Sequence, residues 1–169
     1  MPYPQFDRSQ LRLLPLHERI HDLQRDKVLT WPDSPRTPFE HPAIPTLAEA
    51  IVKARKENRS VVFICGAHVL RQGNAPLLID LMRRGVLTHL ALNGAGAIHD
   101  YELALIGQTC ESVAKYVSEG QFGLWQETGQ INEIVAEGAA EGLGFGEAVG
   151  RAISQRQLPY RETLSLIHI

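Results

Sequence analysis

After residue 45, the apolar positions follow helical and then strand spacing. Apolar residues at positions 47, 50, 51 and 54 are spaced like one face of a helix, and Thr46 with Glu49 forms a capping box in front of them. The spacing predicts a helix from Thr46 to about Asn58. The next run, 60–66, is continuously apolar and rich in β-branched residues, which predicts a strand covered on both faces.

Predicted helices and strands continue to alternate as far as residue 106. A helix is predicted over 75–84, because Asn74 can cap it, Pro76 suits its first turn and Gly85 suits its end. A strand is predicted over 86–92 and a helix from about Asp100 to Ile106. Further helices are predicted over 111–118, 130–140 and 147–155. Strands that alternate with helices are typical of an α/β fold with a mostly parallel sheet flanked by helices, and this is the fold class we predict.

The first 45 residues differ in composition from the rest of the chain. They hold eight of the ten prolines, whereas all 14 glycines lie at or after Gly66. We therefore divide the chain into a proline-rich arm, 1–45, and an α/β domain, 46–169. A short helix is expected around Leu16–Arg25, and 31–45 should run extended over a surface or a neighbouring subunit. We expect a partner subunit to bury the arm's large apolar side chains, which are Leu11, Leu13, Leu14, Leu16, Trp31 and Phe39.

Composition and charge exclude several classes of protein. The formal net charge is −2, so no overall cationic field favours nucleic acid or an anionic membrane. The longest uncharged stretches are shorter than the roughly 20 apolar residues that a bilayer requires. Because no basic segment followed by an apolar one opens the chain, we expect a cytoplasmic protein. Cys65 and Cys110 stand alone in the sequence and are expected to be buried thiols.

Two segments follow predicted strands and are candidates for ligand binding. They are 66–73 and 93–100, and in an open α/β sheet such segments lie where helix N-termini attract anions. Gly94 and Gly96 would let the backbone approach a phosphate or a ribose closely. His99 stands where the third glycine of a dinucleotide-binding fingerprint would be. The alternative interpretation is that both segments are ordinary tight turns, and we expect 142–146 to be a turn between helices.

Other polar and aromatic residues admit two interpretations each. His99 and Glu102 could share a metal with Asp100 or His89 and activate water, as in a hydrolase, but Asp100 is better explained as a helix cap. Trp125 lies in a glycine-flanked segment, 120–129, that could be a lid, although buried packing of Trp125 is the favoured interpretation. The carboxylates at positions 133 and 137 could attract a polyamine, but a solvated helix face explains them more simply.

Between Val61 and Gly107 the order of residues resembles the deoxyhypusine synthase family, including its homospermidine-forming bacterial relatives. The resemblance implies a Rossmann-like fold, NAD as cofactor, a homotetramer with sites between subunits, and transfer of an aminobutyl group from a polyamine to a protein lysine or another amine. In the first segment it implies NAD contacts at Ala67, His68, Val69 and Arg71, with Gly73 closing the segment. In the second it implies contacts at Asn93, Gly94, Ala95 and Gly96, and His99 stands where the family has a carboxylate.

The family's nucleophilic lysine has no counterpart in this chain. Its four lysines are Lys27, Lys53, Lys56 and Lys115, and none lies in the family's lysine motif. The catalytic residues therefore stay unassigned. Because the chain ends in an apolar run, 162–169, that reads like an abandoned strand or an unrelated tail, we expect an inactive N-terminal fragment from a truncated reading frame, with an incomplete sheet. A non-catalytic nucleotide-binding module is the alternative, and a metal-dependent hydrolase comes third.

Overall fold

The computed structural model describes residues 3–5, 7–35 and 38–162. Their four strands are β1 (His21–Gln24), β2 (Val62–Cys65), β3 (His89–Leu92) and β4 (Gln108–Glu111). Their eight α-helices are α1 (Arg25–Val28), α2 (Ala43–Lys56), α3 (Ala67–Arg71), α4 (Ala75–Arg83), α5 (Gly94–Ile106), α6 (Val113–Ser118), α7 (Gln126–Ala140) and α8 (Phe145–Gln155). The apolar C-terminal run 163–169 lies outside the described residues.

The strands form two small sheets, not one. β2 and β3 are parallel, with Val62 opposite His89 and Cys65 opposite Leu92. β1 and β4 are antiparallel, with His21 opposite Glu111. The α/β class is thus confirmed, but the expected Rossmann-like, mostly parallel sheet is not seen. The reason is that β4 follows α5 after Gly107, in the left-handed region at φ +66°, and pairs with the N-terminal segment instead of extending the parallel pair.

The N-terminal segment contributes structure that the sequence did not predict. The helix expected around Leu16–Arg25 is wrong, because a single 3₁₀ turn at Leu16–Glu18 is followed by β1. Leu16 is fully buried against Tyr116 and Trp125. The backbone two residues earlier packs against the same part of the chain, because the Leu14 N–H donates to the carbonyl of Leu124 at 3.1 Å. This part of the segment therefore packs within the chain.

α2 begins earlier than its pattern predicted. It starts at Ala43 with Pro42 at the N-cap, so the capping box predicted at Thr46 is wrong. Pro45 stands in the first turn, where a missing N–H costs nothing, and the helix can therefore start before Thr46. The extended run expected over 31–45 is wrong at both ends, because the Ser34 N–H donates to the carbonyl of Trp31 at 3.0 Å to close a turn and α2 begins at Ala43. None of the residues of α2 is buried.

The elements around the predicted ligand segments differ from expectation in their boundaries. α4 agrees closely with the predicted bounds, and its Asp80–Arg84 pair forms at 3.0 Å. The Asn74 side chain does not cap it, however, because its Nδ2 donates to the carbonyl of Val69 at 3.3 Å. The helix expected from Asp100 begins instead at Gly94, because the Asn93 side chain caps it. β2 is not covered on both faces, since Val62 and Ile64 are 52% and 78% exposed. One face of the parallel pair is therefore open, with Val62 and Ile64 of β2 beside the exposed His89 of β3.

Three clusters of buried side chains hold the elements together. The first joins α5 to α7 and α8 through Tyr101, Ala104, Ile131, Ile134, Val149 and Ile153. The second covers the other face of β2 and β3 with Leu70, Leu78, Ile79 and Leu90. The third consists of Leu16, Tyr116 and Trp125.

The turn expected at 142–146 is confirmed, because residues 141–144 connect α7 to α8. In the part of the chain that the structure describes, no helix combines the length and apolarity needed to cross a bilayer.

Candidate functional site

The two predicted ligand segments meet at the carboxyl end of the parallel strands. Cys65 lies opposite Leu92 in the pairing register, so Gly66 and Asn93, which follow them, are neighbours. A Cβ atom placed on Gly66 would lie 3.5 Å from Nδ2 of Asn93. Both residues lead directly into helices, α3 and α5, so the N-termini of the two helices face the same edge of the sheet. This edge is the centre of the candidate site.

The residues predicted to bind the cofactor differ in how exposed they are. His68, Asn93, Gly94 and Ala95 are exposed, Val69, Arg71 and His99 are half-buried, and Ala67 and Gly96 are buried. The exposed group surrounds the junction between the two strand ends and the start of α5. The buried pair holds the helices in place and is not available to a ligand.

Gly94 and Gly96 have different roles. A Cβ atom at Gly94 would meet no heavy atom within 4 Å. A Cβ atom at Gly96 would lie 3.3 Å from Cβ of Leu92, and the Gly96 N–H donates to Oδ1 of Asn93 at 2.9 Å. Gly96 therefore serves the close packing of α5 on β3, whereas Gly94 leaves open space at the surface.

Two cavities flank the Asn93 junction. One, of about 400 Å³, lies between α3, α5 and the segment 110–128, and its lining includes Arg71, Ala95, His99, Cys110, Phe122 and Trp125. The other, of about 530 Å³, lies along β3 and the start of α8, and its lining includes Asn93, Gly94, Ala97 and Phe145. We call them the His99 cavity and the β3 cavity.

Arg71 contributes a positive charge to the lining of the His99 cavity. Its Nε atom is buried and has no hydrogen-bond partner among the described residues. A buried guanidinium N–H without a partner is costly, and because this atom is shielded from solvent, the positive charge of Arg71, not this N–H, is what can attract an anionic ligand. Cys110 lies beside it, and burial raises the pKa of the Cys110 thiol although Arg71 opposes the shift. The thiol is therefore held in its neutral form.

Glu102 is the centre of a buried network behind the His99 cavity. The Arg19 guanidinium donates to both carboxylate oxygens, at 2.8 and 2.5 Å. The hydroxyls of Thr109 and Thr128 each donate to one of these oxygens at 2.7 Å. Burial raises the pKa of Glu102, but the hydrogen bonds and charge of Arg19 outweigh it and leave the pKa below its ordinary value. Glu102 is thus an ionised carboxylate.

His99 connects this network to the cavity. Its Nδ1 atom lies 2.8 Å from Oγ1 of Thr109 and 3.8 Å from Sγ of Cys110. Burial lowers the pKa of His99; Glu102 opposes this shift, and the positive charges of Arg71 and Arg19 reinforce it. The imidazole is therefore neutral near pH 7.

The remaining candidates have structural positions. Asp100 does not cap α5, as the sequence predicted, because Asn93 takes that position and Asp100 is buried inside the helix. Among the described residues, no group of three or more His, Cys, Asp or Glu side chains could hold a metal ion. Trp125 is buried, as predicted, and its Nε1 donates to Glu111 at 2.8 Å. The carboxylates at positions 133 and 137 are exposed, as predicted.

Sequence reasoning missed Arg19, Thr109, Thr128 and Glu111. Arg19 stood in a proline-rich segment with no motif, and Thr109 lay in a stretch without strand periodicity. A signal existed only for Glu102, because a carboxylate followed by the apolar run Leu103–Ile106 of a helix needs a partner when it is buried. Comparisons of the chain with family models, with curated proteins and with solved structures give no match.

Proposed function

We propose that the chain is the cofactor-binding part of an NAD-dependent aminobutyl transferase of the deoxyhypusine synthase type. The observation that carries the proposal is the proximity of Gly66 and Asn93 at the carboxyl ends of β2 and β3, because it brings together the two segments that resemble the family's NAD-binding segments. NAD would supply a hydride acceptor for oxidation of a polyamine. The donor would be a polyamine and the acceptor a protein lysine or another amine.

The residues at the junction fit a dinucleotide. The open space at Gly94 allows close approach of the backbone, and the two cavities lie on either side of it, as two nucleotide halves require. The positive charge of Arg71 in the lining of the His99 cavity suits a phosphate. His99, which stands in place of a carboxylate, is a neutral ring that can accept one hydroxyl hydrogen bond.

Assembly into a homo-oligomer, a tetramer by resemblance, is part of the proposal. Val62 and Ile64 form an exposed apolar face on the parallel strands, and Leu47 of α2 is 60% exposed. Such apolar exposure is typical of a surface that is covered in the assembled protein.

A non-catalytic nucleotide-binding module is the second candidate. One observation favours it: none of the four lysines lines the His99 cavity or the β3 cavity. A transferase that passes its aminobutyl group through a lysine needs that amine at the cofactor. The two candidates share the nucleotide site and differ in chemistry.

Titration calorimetry with NAD tests the shared site. We expect NAD to bind and Gly94→Val to weaken binding at least about tenfold, because the branched side chain fills the space at the junction. Its thermal midpoint should stay close to the parent's, since a Cβ atom there meets nothing within 4 Å. Gly129→Val is the matched control, because Gly129 also has open space but lies outside both cavities. His68→Ala should weaken binding less than Gly94→Val does.

Gly96→Val is a poorer test, because its side chain would press on Leu92 and lower stability together with binding. A folded Gly94→Val variant that binds NAD like the parent rejects the site. NAD binding without NADH formation is expected of both candidates, because the four lysines lie outside both cavities. The source transcript read beyond codon 169 separates them: an in-frame lysine motif downstream supports the transferase, and a stop codon there supports the module.

A further inference from the structure

We propose that Thr109 and Glu102 are positioning residues that hold His99 in a single tautomer. In that tautomer Nδ1 carries the hydrogen and Nε2 is a hydrogen-bond acceptor for a hydroxyl group of a ligand in the His99 cavity. The identity of the ligand as a nucleotide rests on the proposed function, whereas the tautomer depends only on the network behind the ring.

The direction of each hydrogen bond follows from a count of hydrogens. Glu102 is ionised and can only accept, and the Arg19 guanidinium can only donate. Thr109 has one hydroxyl hydrogen, which it donates to Oε2 of Glu102 at 2.7 Å. Oγ1 of Thr109 can therefore only accept in its 2.8 Å contact with His99. The donor in that contact is the Nδ1–H of His99.

With the hydrogen on Nδ1, a neutral His99 ring has a lone pair on Nε2. No hydrogen bond joins Nε2 to a residue that the structure describes, and His99 is part of the cavity lining. The ring has charged or titratable neighbours on every element packed against it. They are Glu102 on its own helix, Arg71 and His68 on α3, Arg19 on the N-terminal segment and Cys110 on β4.

The hydrogen on Nδ1 of His99 also decides the role of Cys110. Its Sγ atom lies 3.8 Å from Nδ1 of His99, which suggests a nucleophile and base at first sight. Nδ1 already carries a hydrogen, so it cannot remove the thiol proton. His99 therefore acts toward the cavity through Nε2 and does not activate Cys110.

His99 and Arg71 together define a class of ligand. Nε2 of His99 accepts a hydrogen bond from a hydroxyl, and the guanidinium of Arg71 is a positive charge in the lining of the same cavity. A molecule that offers a hydroxyl beside an anionic group satisfies both. Within the proposed function this is the ribose and phosphate of a nucleotide.

Nuclear magnetic resonance of ¹⁵N-labelled protein tests the tautomer directly. Long-range ¹H–¹⁵N correlations show which ring nitrogen of each histidine carries the hydrogen, and His99 is assigned by its absence from a His99→Gln spectrum. At pH 7.5 we expect a hydrogen on Nδ1 of His99. In Thr109→Val we expect an Nε2–H signal to appear, because the acceptor for Nδ1–H is gone.

Thr128→Val is the matched control. Thr128 donates to the same carboxylate at 2.7 Å but lies on α7, and no hydrogen bond joins it to His99. This variant should leave the tautomer unchanged, even if it lowers stability as much as Thr109→Val does. An Nε2–H tautomer in the parent, or the same tautomer in the parent and Thr109→Val, overturns the inference.

A second experiment tests the acceptor role with AMP and its 2′,3′-dideoxy analogue as probes. AMP should bind about two- to tenfold more tightly than the dideoxy analogue, as expected for one hydrogen bond, and Thr109→Val should reduce that ratio. Equal affinities would overturn the acceptor role of Nε2 and leave nucleotide binding standing. If neither AMP nor NAD binds, the proposed function is rejected, and the tautomer experiment still decides the positioning role.

Discussion

Arg19 and Glu102 form a two-pronged ion pair in which the side chains are only 3% and 1% exposed. Arg19 also lies over the Trp125 ring, 5.6 Å from its centroid, and its Nε–H donates to Nδ1 of His21 at 3.2 Å. The pair thus fastens the N-terminal segment to the middle of α5. The same carboxylate orients Thr109 and, through it, the ring of His99. Stability and the candidate site share one buried network.

Removal of Arg19 should lower the free energy of unfolding far more than removal of a charged side chain at the surface does. Arg19→Met leaves the Glu102 carboxylate buried without its cation, and we expect the free energy of unfolding to fall by about 3–5 kcal/mol. Arg151→Met is the control, because Arg151 pairs with Glu141 at the surface and should contribute about 1 kcal/mol or less. Urea denaturation of both variants measures the difference. Similar losses for the two variants would contradict the central role of Arg19.

Two glycines of α7 should respond in opposite ways to alanine. A Cβ atom at Gly138 would overlap Cβ of Ala148 on α8, so Gly138→Ala should destabilise the protein by about 1–3 kcal/mol. A Cβ atom at Gly129 meets nothing within 4 Å, so Gly129→Ala should stabilise by about 0.5–1 kcal/mol. Thermal unfolding of both variants tests the packing of α7 on α8. A neutral Gly138→Ala would show that the two helices do not approach this closely.

Stability should fall as the solution is acidified below about pH 6.5, the ordinary pKa of histidine. Burial lowers the pKa of His99 in the folded protein, so the unfolded chain binds more protons below pH 6.5 and folding loses free energy there. Burial lowers the pKa of His21 in the same direction, with Arg19 reinforcing the shift.

His99→Gln should make the decrease in the thermal midpoint between pH 7.5 and 5.5 smaller. Gly129→Ala, which removes no titratable group, is the control and should leave the decrease unchanged. The measurement is a series of thermal melts at constant ionic strength. A His99→Gln variant with the parent's full pH dependence would show that the ring is not held neutral in the folded state.

The apolar face of β2 should mediate association. Ile64 is 78% exposed, and Ile64→Lys should shift the protein toward a lower oligomeric state in multi-angle light scattering, because a charge cannot be buried there without a partner. Val117→Lys is the control, because Val117 is an exposed apolar residue on α6, away from the parallel strands. A parent protein that is monomeric at all concentrations would reject the assembly.

Local signals predicted the elements that depend on local interactions. α4 has a proline in its first turn and Gly85 at its end with φ +67°, and its predicted start and end agree with the structure. The start of α5 was predicted six residues late, because two glycines after Asn93 weaken the helical pattern and only the Asn93 cap to Gly96 decides it. The junction residues Gly66 and Asn93 were therefore identifiable as strand ends, but not as direct helix starts.

By itself, the sequence determined the α/β class, the turn between α7 and α8, and the burial of Trp125, because each follows from spacing or composition within a short window. Only the tertiary structure decided that β4 pairs with β1 and that Arg19 meets Glu102, 83 positions away along the chain. Contacts between distant residues depend on which surfaces remain uncovered after the local elements form, and no short window of sequence contains that information. The network that orients His99 is of this second kind.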